Sequence, residues 1–513
     1  MTGRLPGADD APVALAGLSA ADLRGRPVAV LGLARSGIAL ARFLAGAGAL
    51  VTVYDVRPAS ELTDALAALG DLPARRLLGP DVPPEEALRG QALVCTSPSV
   101  SSRYPTTEPR LRSALGALEA EGRVPVVSEV DLFLRLCPAR TVGITGTKGK
   151  TTTSALCASV LAAGADPVLL GGNMGIPLIE RLPEVGPRHR VVLELSELQL
   201  PTVSRGTDVA VYTHVTSDHL DRHGTLAAYR AVKRRLAELA PADGALVLNL
   251  EDPVSLAFAS ASRARAVHYS RGLPAPGGVG IADGWIVADG VERLAAVGGG
   301  TAMTGPRGRI LPLETIPLPG EHSWSNVAAA VATGLLFGIA PDGIRRAVEA
   351  FPGVEHRLEI VAEADGVRYV NDSQGTQPDA VIAALRAFPA PVVLIAGGRD
   401  KGVPMDALAA VVAERAAAAV CIGESGPTLD ALFGAAGLAV RERAATLEEA
   451  VARADALARA ARAAAGPGAP VATVLLSPAA ASFDMFADYA ARGRAFRNAA
   501  IALVRTRGAE RRP

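Results

Sequence analysis

One stretch limits the folds open to this chain more than any other: TVGITGTKGKTTTSALCASVLAAG, residues 141–164. Its first residues read as a strand, Gly146-Thr147-Lys148-Gly149 as a tight turn, and the run from Lys150 as a helix. Such a turn exposes backbone N–H groups, and the helix N-terminus adds roughly half a positive charge, so polyphosphate is the natural guest. Lys150 would reach the β- and γ-phosphates, and the hydroxyl of Thr151, followed by Thr152, would ligate magnesium. The usual G-x-x-x-x-G-K-[ST] register fails, because Ile144 holds its first glycine position. The alternative is a purely structural glycine turn. Strand, turn, Gly-Lys-Thr and helix coincide here, and the reading is an ATP site.

A strand–turn–helix of this kind belongs in a parallel sheet, and the rest of the chain agrees. RPVAVLGLA, SGIALARFLAGAGA and LVTVYDV open the sequence as βαβ. Strands follow at VVLELS, DVAVYTHV and GALVLNL, and again at VRYVNDS, PVVLIAGG, AAVCIGES and ATVLLSP. Residues 270–318 are rich in glycine and proline and read as loops with an antiparallel ribbon. The expected class is α/β in three domains. Residues 1–137 would form a Rossmann-like unit, 138–353 a P-loop ATPase-like parallel sheet, and 354–513 a second Rossmann-like unit. This number of domains suits 513 residues.

Only four of the 52 basic residues are lysine: Lys148, Lys150, Lys233 and Lys401. In an arginine-rich chain, a leftover lysine is a candidate for work that guanidinium cannot do, such as reacting as a free amine, with chance survival as the plain alternative. Lys233 sits in LAAYRAVKRRLAELA and borders the apolar face set by Tyr229, Val232, Leu236 and Leu239. A snorkelling lysine is the plain alternative. Glu194 ends the strand VVLELS, and His219 follows the strand DVAVYTHV, where ligands gather in a parallel sheet. Together they suit magnesium or manganese, although either could be a packed or solvated side chain. In the first domain, Gly32-Leu33-Ala34-Arg35-Ser36-Gly37, with Asp55 closing the next strand, resembles a dinucleotide fingerprint. Ala34 puts a methyl group where the pyrophosphate would lie, so a nucleotide diphosphate held differently is favoured over a nicotinamide cofactor. In the third domain, the strand ends at Asn371-Asp372-Ser373, Gly398-Arg399-Asp400-Lys401 and Ser477-Pro478 should converge, with Lys401 and Ser482 able to hold a carboxylate. Phe483 and Phe486 are expected in a helix, facing the core.

Composition serves mainly to exclude. Apolar residues at 49% and charged residues at 20% are inconsistent with pervasive disorder. Fifty-two basic and 52 acidic side chains cancel, leaving no net field to recruit nucleic acid or an anionic membrane. No apolar run approaches the ~20 residues of a membrane span. The opening segment carries acidic residues where a signal peptide carries basic ones, and the four cysteines show no C-x-x-C spacing. A cytoplasmic monomer acting on small molecules is the expectation.

The segments GTKGKTTT, LELSELQL, TSDHLDRHG with YRAVK, GEHSWSN, HRLE, VNDSQGT, GGRDK and SPAAASFDMFADYAARGRAF together resemble those of the Mur ligases. The resemblance covers nearly the whole chain. It implies that the first domain holds a uridine nucleotide, the middle one ATP, and the third closes over both. The implied substrates are UDP-N-acetylmuramoyl-L-alanine and glutamate, with ATP and two magnesium ions. Carried over by position, Gly146, Thr147, Lys148, Gly149, Lys150, Thr151, Thr152, Asn326, Arg357 and Asp372 would contact ATP. Thr151, Glu194, His219 and Lys233 would form the metal site, Lys233 as a carbamate, and Lys150, His219 and Lys233 would be catalytic. Arg35, Ser36, Asp55 and Arg57 match positions around the uridine diphosphate, and Asn173 faces the muramoyl part. Thr376, Lys401, Ser482 and Tyr489 match the glutamate pocket. Gln374 departs from the family lysine after N-D-S, Gln377 and Ser323 each replace an asparagine, and Ser99 replaces a glycine. With Gln374, Lys401 is the sole lysine left for the glutamate carboxylates, which leaves D- and L-glutamate both open. A folylpolyglutamate synthase would not need the first domain. A nicotinamide-dependent oxidoreductase is opposed by Ala34 and by the second nucleotide loop.

Overall fold

The computed structural model describes residues 11–216 and 220–510. The fold is α/β, built on three sheets. The first comprises β1 (Pro27–Leu31), β2 (Leu50–Asp55), β3 (Ala74–Leu78), β4 (Leu93–Thr96) and β5 (Val126–Ser128), all parallel, in the order β3-β2-β1-β4-β5. All five residues of β1 are buried, as helices on both faces of a parallel sheet require. Strand order reverses between β1 and β4, which opens a crevice at the carboxyl ends of these strands.

The second sheet has nine strands. They are β6 (Arg140–Thr145), β7 (Val168–Gly172), β8 (Arg190–Glu194), β9 (Val209–Tyr212), β10 (Ala245–Asn249), β11 (Arg265–Tyr269), β12 (Gly278–Ala282), β13 (Trp285–Asp289) and β14 (Arg309–Pro312). Their order is β14-β13-β12-β11-β10-β9-β6-β8-β7. The glycine- and proline-rich stretch is thus an antiparallel ribbon, β12 to β14, and it extends the parallel sheet through the β11–β12 pairing. β6 lies between β8 and β9, at the reversal of strand order, so the glycine-rich turn after β6 opens into the crevice.

The third sheet comprises β15 (Glu359–Ala364), β16 (Val367–Asn371), β17 (Val392–Gly397), β18 (Ala418–Ile422), β19 (Arg441–Arg443) and β20 (Ala472–Leu476), in the order β15-β16-β20-β17-β18-β19. Only β15 runs antiparallel to its neighbour. Two compact units account for the chain: residues 1–316 with 324–351, and 317–323 with 352–513. Among the described residues, no helix is long and apolar enough to cross a membrane.

Within the first unit, the helix Glu129–Leu136 rivets the first two sheets together. Its Asp131 accepts from the backbone N–H groups of Ser204 and Arg205, and Arg135 donates to the Ser204 hydroxyl. Glu129, 2% exposed, accepts from the Ile179 backbone N–H at 3.0 Å. Burial pushes its carboxyl up to about 7, against the Ile179 hydrogen bond and with a smaller push from Glu180. Its folded pKa therefore lies above the unfolded value, so ionisation costs stability as pH rises from about 4.5 through 7. Glu129→Gln is expected to stabilise by up to about 3 kcal/mol above pH 7, with the gain vanishing near pH 4, at about 1.4 kcal/mol per pKa unit. Thermal unfolding across that range checks this; a gain independent of pH would contradict it.

Candidate active site

The turn after β6 is held by its neighbours as much as by its own sequence. Gly146 adopts φ +152°, and a Cβ there would stand 2.0 Å from Thr213 Oγ1, so no side chain is tolerated. Thr147 N–H donates to the His214 carbonyl at 2.6 Å, and Thr213 Oγ1 donates to the Lys148 carbonyl at 2.6 Å. The Thr147 hydroxyl meets Tyr229 Oη at 2.9 Å and accepts from Thr216 N–H at 2.9 Å. The helix begins at Lys150. Its ammonium donates to the carbonyls of Gly146 (3.1 Å) and Thr147 (2.9 Å), which places a compact cation over the loop. Thr151 and Thr152 follow in the first turn of this helix. Asn326, from the helix His322–Leu336, reaches the same loop and accepts from Thr153 Oγ1 at 3.2 Å.

Beside the loop, β8 ends at Glu194, 3% exposed. Its Oε1 accepts from Asn173 Nδ2 at 3.0 Å, whereas its Oε2 is buried with no hydrogen-bond partner among the described residues. An orphaned carboxylate oxygen next to a phosphate loop fits a hard divalent cation. Asn173 also donates its backbone N–H to the Glu194 carbonyl at 2.8 Å, so two hydrogen bonds join this asparagine to the glutamate. Lys233 departs from its expected border position. It lies inside the buried stripe of the helix Leu226–Glu238 and is 0% exposed. Its ammonium donates to Thr145 Oγ1 at 3.2 Å and lies 5.5 Å from the centre of the Tyr229 ring. His219 lies outside the described residues.

The first sheet carries a cavity of about 390 Å³ at the carboxyl ends of β1, β2 and β4. Gly32, Ala34, Asp55 and Arg57 line it. The helix Arg35–Gly46 packs so closely on this turn that a Cβ on Gly37 would lie 1.7 Å from the Gly32 carbonyl oxygen. Asp55 accepts from Leu33 N–H (2.8 Å) and from two guanidinium nitrogens of Arg57 (3.0 and 2.8 Å). Burial opposes its charge, but Arg57 and these backbone donors hold the carboxyl below its usual range. Arg35 and Ser36 are not among the lining residues; Arg35 donates instead to the Gly175 carbonyl at 3.4 Å, in the loop that carries Asn173. The sequence reading missed Ser97, Thr107 and Arg222 in this lining. Ser97 was findable, because it follows β4, the strand across the switch point from β1. No local signal marked the other two.

In the second unit, the carboxyl ends of β16, β20 and β17 do converge. Ser477 Oγ donates to Asp372 at 2.6 Å, and Lys401 Nζ to the Thr376 carbonyl at 2.9 Å. Burial pushes the Asp372 carboxyl up to about 6, against Ser477, Arg357 and the Leu358 N–H. Ser482 is 3% exposed and Tyr489 46%, with the Tyr489 ring edge-on to His356. One expectation fails here. The final helix starts at Tyr489, and residues 482–488 are turns and bends, so Phe483 is 64% exposed rather than in the core. Only Phe486 packs on the core.

Comparison with known proteins agrees along the chain. Residues 144–334 match the Mur ligase middle domain, and residues 356–480 match the Mur ligase glutamate ligase domain. The UDP-N-acetylmuramoylalanine–D-glutamate ligase of Symbiobacterium thermophilum is 39% identical over 478 residues, 93% of this chain and 98% of that one. Its counterpart in Anaeromyxobacter dehalogenans is 40% identical over 498 residues, 95% of this chain and 100% of that one. Among solved structures, the UDP-N-acetylmuramate–alanine ligase of Thermotoga maritima superposes with a TM-score of 0.54 at 18% identity, covering 93% of this chain and 100% of that one, a likeness of fold. With near-complete coverage at such identity, the chain belongs to the Mur ligases, within the family of UDP-N-acetylmuramoylalanine–D-glutamate ligases.

Proposed function

We propose that this chain adds D-glutamate to UDP-N-acetylmuramoyl-L-alanine at the expense of ATP, releasing ADP and phosphate, in the cytoplasmic assembly of peptidoglycan precursors. The observation that carries the reading is the Gly146–Thr151 loop with Lys150 over it, flanked by the unpartnered Glu194 oxygen and the buried Lys233. The full-length relatives bearing that activity in their names support the choice of substrates. Residues 1–137 would hold the uridine nucleotide, 138–353 ATP, and 354–513 glutamate.

A carboxylate is a poor electrophile, so amide formation in water needs activation. A carboxylate oxygen of the alanyl substrate attacks the γ-phosphorus, ADP leaves, and an acyl phosphate results. The glutamate amine then attacks its carbonyl carbon, and the tetrahedral intermediate expels phosphate as the nitrogen loses its proton. Lys150 offsets the repulsion between carboxylate and γ-phosphate. Magnesium, held by Thr151, Glu194, His219 and a carbamate on Lys233, would add positive charge against the phosphate oxygens. Asp55 and Arg57 bind the uridine diphosphate in the cavity they line, with Arg35 and Ser36 contributing from the start of the helix Arg35–Gly46, and Asn173, held by its bond to Glu194, faces the muramoyl end. Asn326, Arg357 and Asp372 contact ATP. Thr376, Lys401, Ser482 and Tyr489 receive glutamate.

Gln374, whose side chain donates to the Glu355 carbonyl at 3.3 Å, gives L-glutamate its claim as the alternative. Phosphate release from ATP with UDP-N-acetylmuramoyl-L-alanine and each glutamate enantiomer decides between them. Turnover with D-glutamate alone is expected. Preference for L-glutamate would move the chain to the sister specificity, and no release with either would overturn the reading.

A further inference from the structure

Arg492 is the largest fully buried side chain described, 1% exposed in the first turn of the helix Tyr489–Glu510. Its Nε donates to Ser373 Oγ at 3.0 Å and its Nη2 to the Ser373 carbonyl at 2.9 Å. Its Nη1 is shared between the carbonyls of Ala480 (3.2 Å) and Ala481 (3.3 Å). These acceptors lie on two loops, one after β16 and one after β20. The loop after β17 joins them, because Arg399 N–H donates to the Ala481 carbonyl at 2.9 Å and a Cβ on Gly398 would stand 3.2 Å from Arg492 Nη1. Ser373 Oγ passes the chain on to the Tyr489 carbonyl at 2.7 Å.

Burying a guanidinium is costly, and an apolar side chain would fill the same volume more cheaply. Burial draws its pKa down to about 10, with Asp484 the carboxylate that opposes the shift, so the group stays charged at neutral pH. What only arginine supplies is a rigid planar fork able to hold carbonyls of separate loops in one geometry. Those three loops carry Thr376, Lys401 and Ser482. With Gln374 in place of a second cation, the pocket depends all the more on the placement of these residues.

We infer that Arg492 is the positioning residue of the amino-acid pocket: it clamps the loops after β16, β17 and β20 so that Thr376, Lys401 and Ser482 meet glutamate in one fixed arrangement. The inference rests on the glutamate site proposed above. It is tested on the full chain by measuring KM for D-glutamate, ATP and the nucleotide substrate, with kcat and the thermal midpoint, in Arg492→Lys and Ser373→Ala. Arg492→Lys keeps the charge and loses the fork, and should raise the glutamate KM about ten- to a hundredfold. The other two KM values should stay within about twofold, and kcat at saturating glutamate should be largely kept. Ser373→Ala removes one acceptor and should shift the glutamate KM the same way by about threefold. Equal changes in all three KM values, or a loss confined to kcat, would overturn the inference. If Arg492→Lys fails to fold, Ser373→Ala decides, and an unchanged glutamate KM there overturns it. Failure of the unmodified protein to turn over with glutamate would instead strike the underlying reading.

Discussion

Replacing Lys150 by alanine is expected to lower kcat by about a thousandfold or more while leaving the thermal midpoint within a few degrees. The side chain is half-buried at the start of its helix, outside the apolar core, and it donates to the Gly146 and Thr147 carbonyls of the loop it would serve. Its loss therefore spares the fold and removes the cation that would sit against the β- and γ-phosphates. Two anions must meet in the first step, a carboxylate and a phosphate, and a fixed positive charge in a water-poor crevice reduces that repulsion most as they approach. Lys150→Arg should recover little, because a guanidinium fork does not fit the point-charge position between the Gly146 and Thr147 carbonyls. Steady-state phosphate release, alongside thermal unfolding, checks both variants. Retention of more than about a tenth of wild-type kcat in Lys150→Ala would contradict the role given to this lysine.

Lys233 should show a different pattern. Lys233 is 0% exposed at the edge of the phosphate loop, where its ammonium donates to Thr145 Oγ1 at 3.2 Å. Reaction with carbon dioxide would turn it into an anion suited to a metal beside Glu194. Arginine has no neutral amine available for that reaction. Both Lys233→Ala and Lys233→Arg should thus lose about a hundredfold or more in kcat. Only the alanine variant leaves space for a substitute, so millimolar acetate or formate should restore part of its activity and none of the arginine variant's. Full activity in Lys233→Arg, or rescue of both variants alike, would contradict the carbamate.

The features legible in the sequence were those in which a residue type and its position along a strand–turn–helix unit coincide. The loop from Gly146 to Thr151, Glu194 at the end of β8, and Asp55 at the end of β2 each terminate a strand in a parallel sheet, and alternation alone places them. Asn326 could be set beside the loop only through resemblance, since 173 residues separate it from Thr153, which it touches. Ser97, Thr107 and Arg222 enter the first cavity from loops that only strand order brings together. Phe483 was misplaced because helical spacing was read back past the start of the helix, where Met485 N–H and Phe486 N–H both turn onto the Ser482 carbonyl. Lys233 lies inside the buried stripe of its helix rather than at the rim that a charge argues for, and no local pattern marks that burial. The ribbon from β12 to β14 shows its own alternation, but its attachment to β11 is a tertiary event that no local pattern encodes.

The central claim is that ATP activates the carboxylate of the nucleotide substrate, and the fate of one oxygen atom tests it. With ¹⁸O in the alanyl carboxylate of UDP-N-acetylmuramoyl-L-alanine, passage through an acyl phosphate leaves one carboxylate oxygen on the released phosphate. Mass spectrometry of a reaction containing D-glutamate should find one ¹⁸O in each phosphate and the other in the new amide. Amide formation accompanied by unlabelled phosphate would contradict the account, because ATP would then have been cleaved without touching the carboxylate.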